Sequence, residues 1–190
     1  MNILAYIIST IIWIFFILHW IFGSIPKKKI FEIFAGCSIS ICLTLTIFGL
    51  FGWYQKFKSN YSQIIGIILI IITIILAIFS LISLKRMGKP KIGVEDTTIL
   101  INNTIFGIIR HPLYLGFILW GISQIFITQS YVSIILCSLA ILFAYLAAEK
   151  EDEYNISKFG EKYKEYMKKV PRVNFLLGII LYLRRKKNNM

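Results

Sequence analysis

Negative charge is scarce in this chain. Asp and Glu total 9 against 21 Lys and Arg, so the 190 residues carry a formal net charge of +12. Charged residues of both signs make up 16% of the sequence and hydrophobic ones 57%, which leaves no room for a soluble domain of any size. Only three cysteines are present. Cys37, Cys42 and Cys137 all lie inside apolar runs and none shows zinc-ligand spacing, so they read as small buried hydrophobes and no metal site is expected. Familiar cofactor and catalytic loops are missing too. There is no Gly-x-Gly-x-x-Gly after a strand, no P-loop, no His-Glu-x-x-His and no nucleophile elbow. The basic excess does not point to nucleic acid, because no basic stripe lies on a soluble fold. In a membrane protein, lysine and arginine collect on the cytoplasmic side instead.

What remains is a set of apolar runs near the roughly 20 residues that cross a ~30 Å hydrocarbon core. They predict an all-α integral membrane protein with about five transmembrane helices. The first span covers about residues 3–22, with Tyr6 and Trp20 at the two interfaces and His19 one turn from its end. The first run does not read as a signal peptide, since its start has no positive side chain. Pro26 and Lys27-Lys28-Lys29 mark a loop. The second span covers about 31–53, with Glu32 in its first turn, where a carboxylate favours the helix dipole and can pair with the lysines. Trp53 and Tyr54 form its far belt, followed by Lys56 and Lys58. The isoleucine-rich third span, 62–84, must be helical, because an exposed strand edge in lipid would leave backbone groups unpaired. Residues 1–84 thus form three transmembrane helices.

Residues 85–190 form the region expected to carry function. A connector over 94–109 contains Glu95-Asp96. Spans four and five, 112–127 and 131–148, are joined by Thr128-Gln129-Ser130 as a helical hairpin within 112–148. A polar amphipathic helix over 149–170 carries Phe159, Tyr163, Tyr166 and Val170 at helical spacing. The last apolar piece, 173–183, is too short to span and reads as an interfacial helix held by Arg184 to Lys187. With the N-terminus outside, Lys56 and Lys58 are the only external lysines or arginines, so the orientation is N-out and C-in. The C-terminal amphipathic helix then lies in the cytoplasm.

The polar island Arg110-His111-Pro112-Leu113-Tyr114-Leu115-Gly116 stands at the mouth of span four, and the acidic run Glu149 to Glu153 ends span five. A hairpin brings its outer ends together, so the two should meet at one membrane face. Ionisable groups at membrane depth are costly and usually face a cavity or pathway. Arg110 offers a planar fork for a carboxylate, His111 can donate or accept, and the Tyr114 ring can cover an aromatic ligand. Glu151 and Asp152 can accept from ribose hydroxyls or an ammonium group. A zwitterionic cofactor carrying a sugar suits this set. An arginine–carboxylate clamp that merely ties the helix ends together suits it equally.

Four motifs occur in order: Arg110-His111-Pro112-x-Tyr114-x-Gly116, the acidic pair, Phe159-Gly160-x-x-Tyr163-x-x-Tyr166, and Val170-Pro171-Arg172. In this respect the region from Thr98 to Arg172 resembles the isoprenylcysteine carboxyl methyltransferase family and the related membrane phospholipid methyltransferases. The resemblance implies an integral membrane methyltransferase that uses S-adenosylmethionine on a lipophilic acceptor drawn from the bilayer. The acceptor would be an isoprenylcysteine carboxylate-like group or a lipid, and the site would face the cytoplasm. Carried over, His111, Pro112, Leu113 and Tyr114 line the cofactor. Thr98, Ile99, Leu100, Ile101 and Phe106 supply walls, and Glu151 a polar contact. Arg110 and Glu151 become the catalytic candidates. Phe106 stands where the family usually has tyrosine, Thr104 where glycine is usual, and Ala147 where an arginine for the substrate carboxylate is common. The last departure leaves the acceptor open.

Methyl transfer fits a site with so few motifs. The donor is already activated, and alignment with exclusion of water supplies much of the rate. A carboxylate acceptor needs no base, whereas an amine or thiol would call on Glu151 or His111. Two other readings compete. Membrane sterol and steroid reductases share an Arg-His-Pro-x-Tyr-x-Gly turn and use NADPH, but commonly carry asparagine where this chain has Leu113. A small transporter or assembly subunit would place ionisable or broken-helix features near the midplane, where these spans hold almost no charge.

Overall fold

The computed structural model describes residues 3–51, 59–91, 93 and 96–188. All regular elements among them are helical. Helix α1 is Ile3–His19 and passes into a π-helical turn, Trp20–Ser24; α2 is Ile30–Leu50 and α3 Asn60–Met87. A 3-10 turn, Thr104–Gly107, precedes α4, Pro112–Thr128; α5 is Tyr131–Phe159, α6 Glu161–Lys169 and α7 Phe175–Asn188. Four helical stretches, Ile3–Ser24, α2, α3 and α5, are long and apolar enough to cross a membrane, and α4 is a shorter apolar helix of 17 residues. The chain is a multi-pass membrane protein. The interfacial Trp53 and Tyr54, the lysines Lys56 and Lys58 on which the orientation count turns, and Glu95 lie outside the described residues.

Two boundaries differ from the pattern-based ones. The polar helix expected over 149–170 is not one element. Its first part continues α5 without a break to Phe159, because Glu149 to Lys158 contains neither glycine nor proline. Gly160 then breaks the run with φ 62° and ψ −138°, a conformation nearly reserved for glycine. The terminal helix begins at Phe175, and its basic residues stay helical up to Asn188.

The helices divide between two compact units. The first comprises Met1–Thr73 and Phe117–Glu151. Its core joins Ile41, Cys42 and Leu45 of α2 to Cys137 and Ala140 of α5, and both cysteines are fully buried, as small hydrophobes are. Close approach is set by glycine: a Cβ at Gly66 would lie 2.5 Å from Ile127 and 3.0 Å from the Ser123 carbonyl oxygen. The α4–α5 turn is closed by Gln129, whose side-chain oxygen accepts from the Ser59 amide while its Nε2 donates to the Ser59 carbonyl, both at 2.9 Å. At the π-helical turn Glu32 accepts from Ser24 at 2.6 Å, lies 3.4 Å from the buried Lys29 and 3.5 Å from His19. The lysine pairing expected of Glu32 is thus present, with His19 beside it.

The second unit comprises Ile74–Gly116 and Asp152–Met190. In it the connector folds back on the end of α3. The amides of Thr98 and Ile99 donate to the Gly88 carbonyl at 2.8 and 3.2 Å, and Thr98 Oγ1 donates to the Lys89 carbonyl. Tyr163, Tyr166 and Val170, at helical spacing, are buried together against Leu100, Ile156, Phe159 and Met167.

Candidate functional site

Residues 106–111 run as a strip along which nearly every position is held from the C-terminal elements. Tyr166 donates its hydroxyl to the Phe106 carbonyl at 2.6 Å, and Arg185 Nη2 donates to the Gly107 carbonyl at 2.6 Å. Gly178 lies against the Ile108 carbonyl, where a Cβ would overlap it. The Arg110 and His111 amides donate to the carbonyls of Pro171 and Arg172 at 2.9 and 3.1 Å. This pairing gives the Val170-Pro171-Arg172 run a structural meaning: it is the backbone partner of the Arg-His pair. Buried backbone groups must find such partners, and here two short irregular segments satisfy each other. Tyr166 is buried, and that burial pushes its phenol above the usual range, so it remains a hydrogen-bond donor to Phe106.

Asp152 is the centre of charge. Its Oδ2 accepts from Arg110 Nη2 and from Arg172 Nε, each at 2.9 Å, and its Oδ1 from His111 Nε2 at 2.8 Å and the Tyr163 hydroxyl at 2.7 Å. All four acceptor directions of an ionised carboxylate are thereby used. A carboxylate accepts only, so the His111 Nε2 carries its proton in this contact. Arg110 is equally committed: Nη1 donates to the carbonyls of Met167 and Val170 at 3.0 and 2.9 Å. Its Nε is buried without a partner among the described residues.

The positions singled out from sequence separate into two groups. Arg110, His111, Pro112 and Tyr114 are buried around the Asp152 centre, with the His111 and Tyr114 rings 5.5 Å apart, and Leu113 is half-buried beside them. Ile101 and Phe106 are buried. Thr98, Ile99 and Leu100 instead line a cavity of about 530 Å³, together with Asn102, Phe159, Lys162, Glu165, Tyr166, Lys169 and Arg185. Glu151 is half-buried at the end of the other unit. The residue that meets Arg110 is Asp152, not a glutamate. Asp152 continues the buried series Ala140, Ala144 and Ala148, spaced by four along α5, although Ala147, four before Glu151, is buried as well. Tyr163 and Arg172 as partners of Asp152, and the cationic wall of the cavity, are not legible from local sequence.

Residues 65–157 match the model of the isoprenylcysteine carboxyl methyltransferase (ICMT) family. That span contains the connector, the Arg-His-Pro turn and Asp152. This region of the chain is similar to the ICMT family. Three curated relatives, each named protein-S-isoprenylcysteine O-methyltransferase, agree with the match. The Schizosaccharomyces pombe protein is 35% identical over 75 residues, 38% of this chain and 31% of the relative. The Dictyostelium discoideum protein is 37% identical over 77 residues, 40% of this chain and 32% of the relative. The Xenopus laevis protein is 33% identical over 95 residues, 45% of this chain and 30% of the relative. The chain therefore spans about a third of the length of the curated relatives it matches. No solved structure matches it.

Proposed function

We propose that this chain is an integral membrane methyltransferase that uses S-adenosylmethionine to methylate a lipophilic acceptor, with its site facing the cytoplasm. The observation that carries the reading is the position of the Asp152 centre. Its Arg110, His111 and Asp152 lie inside the family-matched span, and it ties the Arg-His-Pro turn to the start of the C-terminal helices. The family match favours methyl transfer over hydride transfer from NADPH and over a transporter or assembly role.

The cavity fits a cofactor of this class. Its 530 Å³ is within the range of small-ligand sites, and its wall combines the apolar Ile99 and Leu100, the aromatic Phe159 and Tyr166, and the polar Asn102 and Glu165. Thr98, Ile99 and Leu100 would hold the cofactor directly. Ile101, Phe106 and the His111-Pro112-Leu113-Tyr114 turn would support that wall from behind, with Glu151 as the polar contact from the end of the apolar part of α5. When bound, the cofactor supplies an activated methyl group. Arg110 acts as a positioning residue, because both its terminal nitrogens are engaged by Asp152 and two backbone carbonyls. Glu151 is the group to take a proton where the acceptor is an amine or thiol. The relatives' name makes an isoprenylcysteine the first acceptor to try.

The experiment is incubation of the purified protein with methyl-labelled S-adenosylmethionine and membrane lipid extract or a prenylated cysteine. Label is expected in an organic-extractable product. No binding of the cofactor, together with no labelled product, would sink the reading.

A further inference from the structure

The cavity wall carries more positive charge than a cofactor pocket requires. Lys162 and Lys169 lie seven residues apart on one face of α6, roughly 10 Å along its axis, and Arg185 reaches the same cavity from α7. Neither lysine has an acidic partner among the described residues. Arg185 is fixed by the Gly107 and Leu181 carbonyls through Nη2 and Nε, at 2.6 and 3.2 Å, which leaves Nη1 available. Glu165, between the two lysines, is the one carboxylate lining the cavity. Three cations, two of them exposed lysines, therefore line a half-open cavity with one compensating charge, and a sulfonium cofactor would bring no net negative charge to it. Like charges lining one cleft focus a positive potential that draws an anion into it.

The chemistry of the anion follows from α7. Its inner face, Gly178 and Arg185, is held on residues 107–108. Its outer face leaves Leu176, Ile180 and Leu183 exposed at 75%, 49% and 58%, and Arg184, Lys186 and Lys187 follow on exposed positions. In a multi-pass membrane protein, an apolar ridge ending in cations suits a helix lying on a lipid surface. The anions supplied there are lipid phosphates, and basic pockets beside membrane helices suit such headgroups. We infer that Lys162, Lys169 and Arg185 form a binding site for the phosphate of an anionic phospholipid headgroup, with Glu165 accepting from a headgroup hydroxyl. The inference rests on the cations of α6 and α7 rather than on the connector residues Thr98, Ile99 and Leu100 proposed to hold the cofactor in the same cavity, so its failure leaves the methyltransferase reading standing.

The test is native mass spectrometry of the full chain, released from nanodiscs of phosphatidylcholine containing a minor fraction of phosphatidylglycerol. Retained phosphatidylglycerol should exceed its share of the bilayer. The Lys162→Ala/Lys169→Ala double variant should weaken its binding by roughly 10- to 30-fold. A Lys164→Ala/Lys168→Ala control changes the same net charge on other faces of α6 and should retain the preference. Retention of phosphatidylglycerol by the natural chain only in proportion to its share of the bilayer, or an unchanged preference in the cavity variant, overturns the inference. So does inorganic phosphate displacing the lipid at equal concentration, since the site would then belong to a free anion. Circular dichroism of both variants separates loss of binding from loss of fold: a variant that has lost its helix content is replaced by Lys162→Gln/Lys169→Gln, for which the same weakening is required.

Discussion

Arg110 and Asp152 stand 42 residues apart in sequence and meet at 2.9 Å, their side chains 7% and 3% exposed. A buried pair of this kind contributes little against a well-packed apolar substitute, yet removing one partner leaves the other charge uncompensated, at about 3–5 kcal/mol. Asp152→Asn keeps the shape and removes the charge. It turns an acceptor towards two arginines into a group with donors of its own. The expected result is a loss of stability of that order, read as a lowered midpoint of thermal unfolding in detergent, with methyl transfer falling alongside it. Arg172→Ala removes a partner that is 22% exposed and should cost distinctly less. Equal losses from the two would mean that Asp152 does not organise the unit.

Much of this was readable in advance, and for a physical reason. The hairpin rule needs only two apolar runs and a short turn, so the meeting of the Arg110 end of α4 with the acidic end of α5 follows from topology. The spacing of Tyr163, Tyr166 and Val170 likewise announces the buried face that they form. Which carboxylate would meet Arg110 was harder. Glu151 and Asp152 are adjacent, and helical phase separates them by about 100°. The buried Ala140–Ala144–Ala148 series continues to Asp152, but Ala147 is equally buried four residues before Glu151, so the hydrogen bond from Arg110 decides for Asp152. The strip from Phe106 to His111 has no secondary-structure period at all, so its partners on Tyr166, Pro171, Arg172 and Arg185 could not be inferred from pattern. The family motifs had recorded these residues as separate words, and the hydrogen bonds join them.

The Tyr166 hydroxyl is one of those joins. It donates to the Phe106 carbonyl at 2.6 Å from a buried position. Tyr166→Phe keeps the ring in its core and orphans a buried carbonyl, which costs about 1–3 kcal/mol. Thermal unfolding should register that loss, and hydrogen exchange should quicken around the 3-10 turn Thr104–Gly107. An unchanged melting midpoint would show that water replaces the hydroxyl and that the contact does not fix the connector.

Thr104 has a φ of 51°, the left-handed conformation that glycine takes freely. A β-branched residue is strained there. The side chain is exposed, so little packing is lost on removing it. Thr104→Gly is expected to stabilise the chain by roughly 0.5–1 kcal/mol, the relief of strain exceeding the added entropy of the unfolded chain. Chemical or thermal unfolding at equal lipid content measures the difference. A lowered stability would mean that the threonine makes an interaction outweighing its backbone strain.

Gly178 tests whether α7 is seated by close approach. A Cβ there would overlap the Ile108 carbonyl oxygen and come within 3.0 Å of its carbonyl carbon, and backbone cannot yield as a flexible side chain can. Gly178→Ala must therefore lift α7, pulling Arg185 away from the Gly107 carbonyl that it meets at 2.6 Å. Overpacking of this kind costs roughly 1–3 kcal/mol, and the cost should be local, because the contact holds one terminal helix. Hydrogen exchange is expected to accelerate across residues 175–188 and at 107–108, while α2 and the apolar part of α5 keep their protection. Phosphatidylglycerol retention should fall as well, although every cation is still present, because Arg185 would no longer be held at the cavity. Unchanged exchange in α7 would mean that the helix is seated by its basic residues rather than by the glycine contact.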